Sequence, residues 1–165
     1  MAVKKILTFG MILTTLFSSL LADTLEIGAA APAVMAVGHS GEAIDLGTEL
    51  SVGTVLIFFY PKALTPGCTK QACSLRDSWD ELKALNLKIY GVSSDPAKTQ
   101  ASFAAKYELP FTLIADTDLA VCEAFGKNRF SRQAYIFKDG VLVWRDLRAS
   151  TTNQAADVLA ALKAL

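Results

Sequence analysis

Residues 54–60, TVLIFFY, form an unbroken run of aliphatic, aromatic and β-branched residues, and no other stretch constrains the fold as strongly. A strand with one face in water alternates apolar and polar residues. A strand that does not alternate is covered on both faces. Such a run predicts the central strand of a sheet with a layer packed on each side. Pro61 ends it, because proline cannot donate to the ladder. From Pro66 the pattern turns helical, with Ala72, Leu75, Trp79 and Leu82 on one stripe, and one continuous helix is expected there.

The rest of the chain repeats the theme. LKIYGVSS (87–94) reads as a second strand, PAKTQASFAAKY (96–107) as a helix with proline in its first turn, and FTLIAD (111–116) as a third strand. A short helix is expected around Leu119 to Phe125. QAYIFKDGVLVWR (133–145) holds two apolar runs joined by Asp139-Gly140, a strong hairpin signal. TTNQAADVLAALKAL reads as a capped amphipathic helix. Ahead of the central strand, TLEIGAAAPAVMAV reads as irregular and GHSGEAIDLG as a turn beside a short strand. Alternation at the front predicts parallel strands, and the hairpin adds antiparallel ones. The expected fold is α/β and thioredoxin-like, a central mixed β-sheet flanked by helices, in one domain over residues 23–165.

Residues 1–22 differ in kind. MAVKK gives a positive start, ILTFGMILTTLFSSLL an apolar stretch, and Ala22 a small residue before Asp23. That is the layout of a cleaved signal peptide. The rival, an uncleaved membrane anchor, is disfavoured by the short stretch and by Thr14, Thr15, Ser18 and Ser19 within it. The expected location is exported, periplasmic or otherwise extracytoplasmic, with no membrane association after cleavage. Sixteen basic residues balance sixteen acidic ones with no block of like charge, which argues against a nucleic-acid surface.

The chemistry is concentrated in residues 61–73, PKALTPGCTKQAC. Cys68 falls just past the buried strand, in the first turn of the next helix. Unpaired N–H groups and the helix dipole point at that turn and favour a thiolate over a thiol. Ionisation alone does not make a fast enzyme, since a more acidic thiol gives a weaker nucleophile. Other groups must hold the transition state. Thr65, three residues before Cys68, can bring its hydroxyl to the same pocket, and Pro61 can wall one side. A cation is also needed. Arg132 leads directly into the strand QAYIF, but its position depends on the tertiary fold and not on spacing.

FYPKALTPGCTKQACSLRD resembles the active-site loop and helix of the peroxiredoxins, specifically the bacterioferritin comigratory protein or peroxiredoxin Q subfamily. The Pro-x-x-x-Thr-x-x-Cys pattern is met by Pro61, Thr65 and Cys68, and the family's second-site arginine matches Arg132 in FSRQAYIFKDG. The resemblance implies a thiol peroxidase that needs no cofactor and no metal. Cys68 would attack the O–O bond of a hydroperoxide, while Thr65 and Arg132 polarise its oxygens. The sequence departs from the usual pattern at Ala63 and Leu64, where acidic or polar residues are common. It departs again at Lys70-Gln71, where a glutamate is common.

Cys73 lies five residues beyond Cys68. In a regular helix such a pair is about 8.7 Å apart at Cα, beyond the roughly 7 Å a disulfide spans. The resemblance implies that Cys73 resolves the oxidised Cys68 within one chain, which requires the first turns to unwind. It also implies a thioredoxin-like protein reductant, and the chain is expected to be a monomer. Other readings stay open at this stage: a static disulfide, a zinc site using Cys68, Cys73, Cys122 and His39, a disulfide exchanger, or a non-catalytic redox sensor. Cys122 itself reads as a small buried apolar residue, and His39 as a surface residue in a turn.

Overall fold

The computed structural model describes residues 24–165, and the expected signal segment (1–22) lies outside the described residues. The elements run β1 (Met35–Val37), β2 (Ala43–Asp45), α1 (Leu46–Leu50), β3 (Thr54–Phe59), α2 (Pro66–Asp77), α3 (Trp79–Ala84) and β4 (Leu87–Ser93). They continue with α4 (Ala97–Lys106), β5 (Thr112–Ala115), α5 (Ala120–Ala124), β6 (Gln133–Lys138), β7 (Val141–Asp146) and α6 (Gln154–Lys163). Five strands make one mixed sheet in the order β5-β4-β3-β6-β7. β3, β4 and β5 are parallel, whereas β6 pairs antiparallel with β3 and β7 antiparallel with β6.

The unbroken apolar run earns its place at the centre. Leu56, Phe58 and Tyr60 point into one core with Ala72 and Leu75 of α2, Phe103 of α4 and Val158 of α6. Val55, Ile57 and Phe59 point into a second core with Leu46 and Leu50 of α1 and Val121 and Cys122 of α5. Alternate residues thus serve opposite layers, so no position is left for a polar side chain. Gly91 of β4 lets the Phe58 ring lie against the neighbouring strand, since a Cβ there would come within 2.7 Å of that ring. The Asp139-Gly140 turn forms as expected, with φ of 48° and 82°, both in the left-handed region that a tight hairpin requires.

Four expectations are corrected. The helix from Pro66 does not run through Leu82: α2 ends at Asp77, and α3 starts at Trp79. Ser78 breaks the helix at φ −103°, ψ 14°. Ser78 and Glu81 carry the Ser-x-x-Glu spacing of a helix start, a signal that the continuing apolar stripe conceals. The segment read as irregular contains β1, which pairs with β2, and α1 follows with Asp45 accepting the Thr48 N–H at 3.3 Å. The third correction concerns α6. Asn153 makes no side-chain cap, and the Ala155 N–H instead donates to Ser74 Oγ of α2 at 3.0 Å. Replacing Ser74 with alanine is therefore expected to cost about 1 kcal/mol, the usual worth of a lost helix cap. A lowered denaturant midpoint would register it, and an unchanged midpoint would show that the bond contributes nothing.

His39 is half-buried, not simply on the surface, and its Nδ1 accepts the Leu113 N–H at 3.1 Å. It ties the β1–β2 turn to the edge strand β5. No helix among the described residues is long and apolar enough to cross a membrane.

Candidate active site

Cys68 is the third residue of α2, directly at its N-terminal end, and only 2% exposed. Thr65 is the N-cap residue, extended at φ −88°, ψ 152°, and Pro66 occupies the first helical position, where its missing N–H costs nothing. The Thr65 hydroxyl does not cap the helix. It donates back to the Lys62 carbonyl at 2.9 Å, which closes the loop between β3 and α2. Pro61 is half-buried at the start of that loop, directly after Tyr60.

Arg132 arrives from the other end of the sequence through strand register. The last residue of β3, Phe59, pairs with the first residue of β6, Gln133. Arg132 therefore stands at the edge where β3 runs out into the Cys68 loop. Its Nη2 lies 3.3 Å from Cys68 Sγ, and its Nη1 donates to Gln71 Oε1. A guanidinium presents these donors in one plane, so a grip on Gln71 also fixes the donor aimed at sulfur.

Gln71 enters the sequence reading only as a departure from the usual glutamate, and its place in the site was missed. It is fully buried one turn past Cys68, and its Nε2 donates to Gln154 Oε1 of α6 at 2.7 Å. The signal was present: Cys68, Gln71, Ala72 and Leu75 form one buried helical stripe, and an amide on such a stripe needs partners.

Cys73, half-buried on the same helix, is a free thiol, as are Cys68 and Cys122. Burial pushes the Cys73 thiol above its ordinary range, and the Arg76 charge offsets this only in part. With both residues inside the wound helix α2, the structure holds Cys68 and Cys73 as separate thiols and not as a static disulfide. Cys122 lies in the core on the opposite side of the sheet from Cys68. Its thiol is pushed up to about 11, by burial first and then by the Asp116 carboxylate, against a smaller pull from Lys127. This fits a small buried residue. The four residues considered for zinc are not gathered, and the described residues contain no cluster of His, Cys, Asp and Glu able to hold a metal.

The arrangement thus presents a shielded sulfur at a helix head, a guanidinium within hydrogen-bonding reach of it, and a hydroxyl on the loop between. Comparison with known proteins agrees with this chemistry. Residues 27–145 match the AhpC/TSA family. Peroxiredoxin Bcp of Escherichia coli is 46% identical over 104 residues, covering 63% of this chain and 66% of that protein. Peroxiredoxin Bcp of Bacillus subtilis is 34% identical over 154 residues, covering 85% and 96%. Among solved structures, peroxidoxin BcpB of Mycobacterium tuberculosis superposes with a TM-score of 0.79 at 30% identity, covering 86% of this chain and 98% of that one. The Xanthomonas campestris bacterioferritin comigratory protein, studied for alkyl peroxide reduction, gives 0.76 at 31% identity, covering 85% and 96%. The chain belongs to the AhpC/TSA family, and within it is a thiol peroxidase of the Bcp, or peroxiredoxin Q, kind.

Proposed function

We propose that Cys68 is the sulfur that reacts with the peroxide, that Arg132 and Thr65 hold the peroxide oxygens, and that Cys73 closes the cycle. The observation that carries this reading is the 3.3 Å approach of Arg132 Nη2 to Cys68 Sγ at the head of α2. The thiolate attacks one oxygen of ROOH. The O–O bond breaks, Cys68 becomes a sulfenic acid, and RO⁻ leaves and takes up a proton as ROH. Charge builds on the leaving oxygen, where a fixed guanidinium stabilises it more than mobile water does. Pro61 shields the loop from water on the strand side.

The second step joins Cys73 sulfur to Cys68 sulfur and expels the sulfenic oxygen as water. Both residues lie within the continuous helix α2, so its first turns must unwind for the two to meet. Gln71 sits between them and leaves with that segment, parting from Arg132 and Gln154. Unwinding also brings Cys73 into water, which removes the burial that holds its proton. A dithiol protein reductant of the thioredoxin kind then returns both sulfurs to thiols. The positive start and apolar stretch of residues 1–22 support an exported protein that reduces hydrogen peroxide and organic hydroperoxides outside the cytosol, and we propose that it works as a monomer.

One equivalent of hydrogen peroxide added to the reduced protein tests this directly. Intact mass and peptide mapping should show a Cys68–Cys73 disulfide and an unmodified Cys122. In Cys73→Ser the first attack should persist, but Cys68 should accumulate as sulfenic acid and proceed to sulfinic acid with excess peroxide. A stable Cys68–Cys122 disulfide would transfer the resolving role to Cys122. Peroxide uptake elsewhere than Cys68 would end the assignment.

A further inference from the structure

Resting on Cys68 as the reacting sulfur, we propose that Asp95 is a positioning residue for the Thr65 hydroxyl, acting through the one peptide plane that joins Lys62 to Ala63. Asp95 Oδ2 accepts the Ala63 N–H at 2.7 Å. On the far side of the same peptide unit, the Lys62 carbonyl accepts the Thr65 hydroxyl at 2.9 Å. A trans peptide is rigid and its N–H and C=O point in opposite directions. Whatever fixes the Ala63 N–H therefore fixes the direction of the Lys62 carbonyl, and through it the hydroxyl. A carboxylate is well suited to this task. Its hydrogen bond to an N–H is about twice as strong as a neutral one, and it polarises the carbonyl beyond as an acceptor.

The carboxylate is itself held by a buried network. Ser93 Oγ donates to Asp95 Oδ2 at 2.8 Å, and Gln100 Nε2 donates to Ser93 Oγ at 2.9 Å and to the Ile114 carbonyl at 2.8 Å. The Gln100 amide is completed by Tyr60, whose hydroxyl donates to Oε1 at 2.6 Å. Burial keeps that phenol protonated, and Gln100 is fully buried. The network thus leaves the corner between β4 and α4 and returns to the Cys68 loop at two points, the Tyr60 side chain and the Ala63 backbone. Between those points lie Pro61 and Lys62.

A routine corner between strand and helix needs no such reach into another loop. The next residue shows why this one has it. Leu64 adopts φ 63°, a left-handed conformation that a residue with a side chain such as leucine's rarely takes. Such backbone persists only where the surroundings over-determine it. Ala63 is held by Asp95 on one side, and α2 begins on the other. The clamp therefore keeps a strained loop in the geometry that sets the Thr65 hydroxyl on the Lys62 carbonyl, three residues ahead of Cys68.

The test is a double-mutant cycle between Asp95→Ala and Thr65→Val, read by two reactions of Cys68. Reaction with hydrogen peroxide needs the oriented hydroxyl, whereas alkylation by iodoacetamide needs only the thiolate. Asp95→Ala is expected to lower the peroxide rate constant about tenfold and the alkylation rate by less than about twofold. Asp95→Asn, which keeps an acceptor oxygen, should recover most of the loss. In the Thr65→Val background Asp95→Ala should have almost no further effect, because the group it positions is gone. Gln100→Leu leaves the carboxylate and its Ser93 donor in place but removes the amide behind them, and should give a smaller loss of the same selective kind should Asp95→Ala fold poorly. Equal factors in both Thr65 backgrounds, or equal losses in peroxide reaction and alkylation, would overturn the proposal. Wild-type protein that takes up no peroxide at Cys68 would instead overturn the peroxidase assignment itself, so the two failures are distinguishable.

Discussion

Cys68→Ser is expected to abolish peroxide consumption, with the rate falling at least about a thousandfold, because a serine hydroxyl does not ionise near neutral pH and attacks peroxides poorly. Neither remaining sulfur can replace it. Cys73 lies more than a turn further along α2, away from the helix head, and its burial favours the protonated thiol. Cys122 is separated from Arg132 by the sheet, and with its thiol pushed up to about 11 only about one molecule in ten thousand would carry a thiolate at neutral pH. The substitution removes little volume from a site that already tolerates a polar atom beside Arg132, so the fold should persist. Stopped-flow loss of peroxide against the wild type gives the result. Turnover above roughly a hundredth of wild type would place the nucleophile at Cys73 or Cys122, and the reading of the helix head would be wrong.

The fold was legible where local pattern and global packing coincide. Residues 54–60 announced a strand covered on both faces, and the two cores divide its side chains accordingly. Asp139-Gly140 announced its hairpin for the same reason, since both residues accept the backbone such a turn demands. The helix break at Ser78 was hidden, because the stripe Ala72, Leu75, Trp79, Leu82 continues across it while the backbone does not. That break matters for function. Trp79 begins α3 and stays against Phe111, with ring centroids 6.2 Å apart, so unwinding the head of α2 need not disturb it.

The site divides along the same line. Pro61, Thr65 and Cys68 lie within eight residues, and their spacing alone could carry them. Arg132 came only from resemblance, because its approach depends on the pairing of Phe59 with Gln133, a long-range register. Gln154 and Asp95 escaped altogether, and Gln71 was marked only as standing where a glutamate is common. Their meaning lies in hydrogen bonds to residues 32 to 83 positions away, which no periodicity encodes.

Arg132→Met should slow the reaction with peroxide by about a hundredfold to a thousandfold, the size expected when one preorganised donor is removed from a developing oxyanion. Methionine keeps an unbranched apolar stem and loses the charge. The donor 3.3 Å from Cys68 Sγ disappears, so the sulfur loses its guanidinium partner, and on the proposed mechanism the leaving oxygen would lose its stabiliser. A second loss accompanies the first. Gln71 Oε1 gives up its donor while fully buried, and an orphaned buried acceptor costs about 1–3 kcal/mol. The variant should therefore also unfold at a lower denaturant concentration. Arg132→Lys separates the two effects. A single ammonium keeps the charge but cannot grip Gln71 and face the sulfur in one plane, so it should recover only part of the rate. Second-order rate constants from stopped-flow, set beside denaturant midpoints for both variants, give the comparison. An unchanged peroxide rate in Arg132→Met would remove Arg132 from the site, and a full recovery in Arg132→Lys would show that charge alone, without the Gln71 grip, is what the reaction uses.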